Sequence, residues 1–237
     1  MTDAPFTLAI DIGGTGLKTD VLDAAGNPVA PRQRIATPHP APPKVVLDAI
    51  AEMAGKLPAF DRISAGFPGV VRNGSILTAP HLGTKDWAGF DFAAALTERL
   101  GKPARVLNDA EVQGFGLIKG TGLELVLTLG TGAGTALFRN GAVMPHLELS
   151  QHPIRKDMTY DDYIGNAALE AEGEAHWNRR VARVLEVLFT LTHYDTLYLG
   201  GGNAEKVRDL PKHVVRGNNE AGLTGGIKLW GPGWQEG

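Results

Sequence analysis

Two glycine-rich turns and two aspartates supply the residue types from which phosphate chemistry can be built. The first turn lies in Leu8-Ala-Ile-Asp11-Ile-Gly13-Gly14-Thr15-Gly16-Leu-Lys18, the second in Leu125-Val-Leu-Thr-Leu-Gly130-Thr131-Gly132-Ala-Gly134-Thr135. Each follows a run of apolar β-formers. Glycine lets backbone N–H groups close on a bulky anion, and neighbouring hydroxyls add donors. Gly13, Gly14, Thr15, Gly130, Thr131 and Gly132 are therefore candidate phosphate contacts, with Lys18 beside them. The same stretches also suit ordinary hairpins in which glycine only supplies a positive φ. Asp11 has the chemistry to hold a hydrated divalent cation. Asp109 follows the short expected strand Arg105-Val-Leu-Asn108 and precedes a helical pattern. At a strand's C-terminal edge it can accept a proton from an attacking hydroxyl, or it can cap the next helix. Neither turn has the spacing of a P-loop or of a dinucleotide fingerprint.

The elements that must position these residues can be traced along the chain. Strands are expected at 8–12, 18–22 and 32–36, with a turn at Ala25-Gly26-Asn27, and a proline-rich connection spans Thr37–Pro43. Apolar residues at helical spacing (Val46, Ala49, Ile50, Met53) predict a helix over 45–56. A strand at 62–66, a hairpin around Asn73-Gly74, a helix at 92–100 ended by Gly101, and a strand at 104–107 follow. A helix at 111–119 leads to a second hairpin region over 124–143. Residues 149–166 show no periodicity. A long amphipathic helix over 168–192, a strand at 196–199 running into Gly200-Gly201-Gly202-Asn203, and a last helix at 219–229 complete the pattern, and the Gly/Pro/Trp tail is expected at the surface. Strand-strand-strand-helix-strand-helix in each half is compatible with a duplicated α/β unit.

Composition narrows the functions. A chain of 237 residues is long enough for two compact lobes, and 43% hydrophobic with 21% charged residues is a globular balance. A net charge of −3 argues against a nucleic-acid-coating role. The absence of cysteine excludes disulfides, thiolate catalysis and a cysteine zinc site. No signal peptide opens the sequence and no apolar run reaches membrane length, so a cytoplasmic protein without a membrane partner is expected. The thirty-one glycines cluster around the turns.

Asp11-Ile-Gly-Gly-Thr15, Asn108-Asp109-Ala, Leu129-Gly-Thr-Gly-Ala-Gly134, Leu199-Gly-Gly-Gly-Asn203 and the closing Asn219–Trp230, in that order, resemble the ROK family of sugar kinases. The resemblance spans almost the whole chain. It implies an α/β fold of the actin-like, ribonuclease-H-like type, a duplicated domain with an interlobe cleft. The small lobe is expected at 1–108, with the terminal helix packing back on it, and the larger lobe at 109–218. By the same resemblance Asp109 is the general base on a sugar hydroxyl, Asn108 binds the sugar, Asp11 holds Mg²⁺ through water, and Gly14, Thr15 and Thr131 meet phosphates. Gly201, Gly202 and Asn203 would approach a nucleotide. A homodimer is implied as well.

Departures from the family pattern refine the expectation. Where the family carries Glu-x-Gly-His, this chain has Glu148-Leu-Ser150-Gln151-His152, which puts Gln151 at the histidine position and His152 one place late. Glu148 is expected as a sugar ligand; His152 is either a ligand or a loop residue. His81 stands where a sugar-binding Asn is usual. The cysteine zinc motif is absent, so no structural zinc is expected, and residues 152–165 replace it. That replacement and the short length resemble the polyphosphate glucokinase branch, which implies glucose as acceptor and polyphosphate, ATP or both as donor. Arg155 and Lys156 would then form a basic track for the donor, or simply a solvated loop face. An ATP-dependent kinase for another hexose is the first rival reading and a non-catalytic sugar sensor the second. A repressor of the same family is not expected, because the first turn is reached by residue 11 with no winged helix before it.

Overall fold

The computed structural model describes residues 5–217 and 221–231. By internal contacts the chain divides into two compact units. One runs to Gly116 and takes in the last helix; the other begins at Leu117 and holds the residues between.

In the first unit, β1 (Thr7–Ile12), β2 (Gly16–Leu22) and β3 (Gln33–Ala36) form an antiparallel meander. α1 (Pro43–Ala54) leads to β4 (Arg62–Phe67), which pairs parallel to β1. A small hairpin of β5 (Val71–Arg72) and β6 (Ser75–Ile76) precedes the short α2 (Thr84–Trp87) and then α3 (Phe92–Leu100). β7 (Ala104–Asn108) lies parallel to β4 and passes directly into α4 (Asp109–Leu117). Strand alternation sorts the faces. Leu8, Ile10 and Ile12 join Val46, Ile50 and Met53 of α1 in the main core. Ala9 and Leu22 form a separate cluster with Ile227. α3 has sharp ends, because the Asp91 side chain accepts the Ala94 N–H and Gly101 takes φ 68°.

In the second unit, β8 (Leu123–Leu129), β9 (Ala133–Arg139) and β10 (Ala142–Val143) repeat the meander. A 3₁₀ turn at Leu149–Gln151, the hairpin β11 (Pro153–Arg155) and β12 (Met158–Thr159), and α5 (Tyr160–Ile164) follow. α6 (Asn166–Thr192) then leads to β13 (Thr196–Gly200), parallel to β8, and to β14 (Val214–Arg216), parallel to β13. The two sheets have the orders β3-β2-β1-β4-β7 and β10-β9-β8-β13-β14. Each reads third-second-first-fourth-fifth strand, so the α/β unit is duplicated in the actin-like, ribonuclease-H-like manner.

The last described helix, α7 (Ala221–Lys228), belongs to the first unit. Ser64 Oγ donates to the Gly226 carbonyl at 2.6 Å, and Trp230 Nε1 donates to Ser64 Oγ at 2.9 Å. The Arg105 guanidinium lies 4.4 Å from the Trp230 ring centroid. Asn219 and Glu220, expected in this helix, and the tail beyond Gly231 lie outside the described residues.

Several local expectations change. Residues 149–166 are organised rather than irregular. Their strands of two and three residues are too short to show a period, and α5 is set by a capping box between Thr159 and Asp162. α4 starts at Asp109, earlier than read from the sequence, because Asn108 and Glu111 cap it, and it ends at Leu117. The long helix begins at Asn166 and is interrupted at Gly173 (φ 75°, ψ 159°). α2 and β14 carried no usable sequence signal.

Candidate active site

In the first unit the Asp11 carboxylate closes β1, and Lys18 is its register partner on β2. Lys18 Nζ donates to Asp11 Oδ2 at 2.7 Å, so the candidate cation ligand and the candidate phosphate contact are an ion pair. The turn is closed by the Gly13 N–H donating to the Gly16 carbonyl at 2.9 Å. Thr37, the residue after β3, braces it, its hydroxyl donating to the Gly13 carbonyl at 2.6 Å. Among the described residues, no hydrogen bond is assigned to the N–H groups of Gly14 and Thr15. His81 lies against the turn, where a Cβ on Gly14 would come 3.0 Å from His81 Cβ. Gly13 and Gly14 do not have positive φ. Close approach, rather than a left-handed backbone, therefore explains the glycine at 14.

Asp109 is the first residue of α4 and is half-buried. Asn108, 4% exposed, caps the helix: its Oδ1 accepts the Ala110 N–H at 2.9 Å and Glu111 Oε2 accepts the Asn108 N–H at 3.1 Å. Asn108 Nδ2 donates to the Gly69 carbonyl at 3.0 Å. The amide is thus largely committed to fixing the turn that presents Asp109. Gly66 on β4 allows the helix start to approach, since a Cβ there would lie 3.2 Å from Asp109 Cα. Asp109 Oδ1 also accepts the Ala110 N–H at 2.9 Å. Capping and a carboxylate poised for proton transfer are compatible, because Asn108 supplies the main cap.

In the second unit the Gly130–Gly132 turn is closed by the Gly130 N–H donating to the Gly132 carbonyl at 3.0 Å. Thr131 is exposed, and among the described residues no hydrogen bond is assigned to the Thr131 and Gly132 N–H groups. This turn is held by residues the sequence did not single out. Asp161 Oδ1 accepts the Ala133 N–H at 2.7 Å, and the Asn166 N–H donates to the Gly130 carbonyl at 3.0 Å. A Cβ on Gly132 would come 2.7 Å from Asp161 Cγ, so only glycine lets the carboxylate seat. Gly201 (φ 81°) packs against Leu129, where a Cβ would come 2.6 Å from the Leu129 nitrogen. Gly202 faces open space. The Asn203 N–H donates to the Leu129 carbonyl at 3.0 Å, and its amide meets Asn166 Oδ1 at 3.3 Å and Lys206 Nζ at 2.9 Å. The fold thus gathers 130–132 and 201–203 at one end of β8 and β13, with exposed Lys206 beside them.

Glu148 is half-buried, 3.6 Å from His146 Nε2, and accepts a hydrogen bond from Ser150 Oγ. Burial pushes its carboxyl up, but His146 and Ser150 together outweigh burial and hold it below the usual glutamate range. Gln151 Nε2 donates to Ser150 Oγ at 3.3 Å and to Asp161 Oδ2 at 3.1 Å. His152 is exposed, its ring centroid 6.4 Å from that of Tyr160. Arg155 and Lys156 are exposed at the β11–β12 hairpin. Arg155 borders an open cavity of about 380 Å³ with Ile154, Tyr163, Arg183 and Val187. Among the described residues no three His, Cys, Asp or Glu side chains gather as a metal cage. No helix there is long and apolar enough to cross a membrane.

The ROK family profile matches residues 7–145, more than half of the chain. The chain belongs to the ROK family. This ROK protein is 30% identical over 207 residues to a polyphosphate glucokinase of Mycobacterium tuberculosis, covering 83% of this chain and 77% of that protein. A solved inorganic polyphosphate/ATP-glucomannokinase from Arthrobacter sp. strain KM superposes with a TM-score of 0.85 at 29% identity, over 95% of this chain and 97% of that one. A ROK glucokinase from Streptomyces griseus, solved with glucose and AMPPNP, shares the fold at a TM-score of 0.79 and 18% identity, over 94% and 98% of the two chains.

Proposed function

We propose that this ROK protein is a sugar kinase that transfers a phosphoryl group from polyphosphate, ATP or both to the 6-hydroxyl of glucose. The observation that carries the reading is Asp109: a carboxylate at the start of α4, fixed by the Asn108–Glu111 cap and by the close approach that Gly66 permits. The similarity to polyphosphate glucokinases over 83% of the chain supports the acceptor and the donor. Asp109 accepts the proton of the glucose 6-hydroxyl while that oxygen attacks the terminal phosphorus. The bridging P–O bond breaks, and the donor leaves one phosphate shorter, as ADP when the donor is ATP. Asn108 acts chiefly by holding Asp109 in place. Glu148 accepts hydrogen bonds from sugar hydroxyls, with His152 and His81 as further sugar contacts. Gly14, Thr15, Thr131 and Gly132 offer N–H and hydroxyl donors to phosphate, while Gly13 and Gly130 shape the turns, their own N–H groups being spent on the Gly16 and Gly132 carbonyls; Lys18 adds charge. Gly201, Gly202 and Asn203 serve a nucleotide donor, while Arg155 and Lys156 attract a polyanion.

Asp11 offers one carboxylate, paired with Lys18, beside a turn whose N–H groups can take phosphate; one carboxylate plus substrate phosphates is a donor set that suits Mg²⁺, which keeps several waters. Asp11 would hold it through water, and when bound it neutralises charge on the donor. A homodimer is what the family resemblance implies.

The test is glucose 6-phosphate formation with Mg²⁺, comparing polyphosphate and ATP as sole donors. Polyphosphate outperforming ATP supports the full reading. ATP alone keeps the kinase and removes the polyphosphate role. Silence with glucose but activity with mannose or an N-acetylhexosamine shifts the acceptor. Silence with every sugar sinks the kinase reading and leaves a sugar sensor.

A further inference from the structure

The second unit contains a hydrogen-bonded path from Glu148 to the glycine turn that the transfer chemistry does not require. His146 faces Glu148, Glu148 accepts from Ser150, Ser150 accepts from Gln151, Gln151 donates to Asp161, and Asp161 accepts the Ala133 N–H at the foot of the glycine turn. One end is the carboxylate assigned to the sugar, the other the turn assigned to the donor. We propose that Gln151 and Asp161 are positioning residues through which sugar at Glu148 tightens donor binding at the Gly130–Gly132 turn. The proposal rests on the kinase reading for what binds at each end.

Hydrogen-bond exchange at Ser150 is the physical basis. Ser150 Oγ gives its proton to Glu148 while accepting from Gln151 Nε2. A sugar hydroxyl donating to Glu148 competes with Ser150 for the carboxylate. Once Ser150 turns away, the Gln151 amide keeps Asp161 as its acceptor. Asp161 cannot drift without consequence, because it packs against the Cα of Gly132 and holds the first N–H of β9. A carboxylate held here keeps the Thr131 and Gly132 N–H groups in the conformation that receives phosphate. Two sites linked by one such element are coupled in both directions by the same factor.

Gln151 is exposed, so its replacement need not disturb the core. The experiment measures binding of tripolyphosphate, and separately of ATP, by calorimetry with and without 6-deoxyglucose, an acceptor analogue that lacks the reacting oxygen. In the unaltered protein the analogue should tighten donor binding several-fold, at the low end of ordinary couplings of about 5–150-fold. In Gln151→Met each ligand alone should bind as before, the melting temperature should hold, and the tightening should shrink toward one. Asp161→Asn should abolish the tightening and also weaken the donor alone. A merely structural role would change single-ligand affinities or melting and leave the ratio intact. Equal tightening in Gln151→Met and the unaltered protein, or none in the unaltered protein, overturns the coupling while leaving the kinase reading standing. Failure of the unaltered protein to bind either ligand overturns the kinase reading, and the coupling with it.

Discussion

The two units repeat one strand order but are loaded differently at the same structural positions. The proposed base of the first unit stands at the end of the fifth strand, where Asn108 and Asp109 open a helix; the second ends its fifth strand, β14, at Arg216. The fourth strand shows the reverse. β4 runs into Phe67-Pro68-Gly69, whose carbonyls anchor Asn108, whereas β13 runs into Gly201 and Gly202 beside the second turn. The turns differ in support as well. The first is braced by its own meander through Thr37; the second is braced by α5 and α6, elements about thirty residues away. Duplication supplies the frame, and function follows from which loop each copy equips.

If Asp109 is what distinguishes the first unit, Asp109→Asn should produce the largest effect of any single substitution. Removing a general base costs about 10²–10⁴-fold. The loss should appear in kcat, with glucose affinity little changed, because Asn preserves size and the cap rests on Asn108 and Glu111. A variant turning over at near-normal rate would refute the assignment.

The next effect contrasts glycines within and between turns. Gly132→Ala must displace the Asp161 carboxylate, whereas a Cβ at Gly130 meets nothing within 4 Å. Overpacking of this kind costs about 1–3 kcal/mol. Gly132→Ala should therefore weaken the donor by about tenfold or more, and Gly130→Ala should stay near the unaltered protein. Gly13→Ala falls between, since its Cβ would sit 3.1 Å from the Gly16 carbonyl oxygen. Donor titrations that rank the three differently would show that the turns are not braced as described.

That contrast also explains what could be read from the chain. The first turn, β1–β2, α3 with its Gly101 stop, and the strand delivering Asn108 were legible because their determinants are local. Asp161 and Asn166 were not, because their importance arises only when residues separated by about thirty positions meet at one sheet edge. The expectation of irregular structure over 149–166 failed for a related reason. A five-residue helix and a two-strand hairpin have no period to detect, and their order comes from the Thr159–Asp162 box and from packing on the second turn. Asn108 shows the opposite limit. Its residue type announced a polar role, but only the structure shows that the amide is mostly spent on Gly69 and Ala110.

A third effect belongs to Glu148 and is read from pH. Its carboxyl is held below the usual glutamate range, so sugar capture should persist as pH falls through about 4.3, the ordinary value. The sign for stability is the same. A depressed folded-state pKa adds stability above the unfolded value and loses it as pH falls through the folded one. In His146→Ala burial remains while an opposing partner is gone, so the pKa should rise. The acid limb of kcat/KM for glucose should then move toward neutral pH. An unmoved limb would mean that His146 does not act on Glu148.

The smallest effect separates charge from architecture at the first turn. The Lys18–Asp11 pair is partly exposed, 35% and 27% by side chain, and exposed pairs are worth about 0–1 kcal/mol after screening. Lys18→Met should therefore change melting little. Lys18 also neutralises Asp11 where the proposal places phosphate and Mg²⁺, so the variant should raise the donor KM several-fold and increase the Mg²⁺ dependence of the rate. Polyphosphate, with more charge per chain than ATP, should be the more affected donor and should show the weaker salt dependence in the variant. A melting shift with unchanged donor KM would make the pair a strand clamp and leave the first turn to bind phosphate through its N–H groups alone.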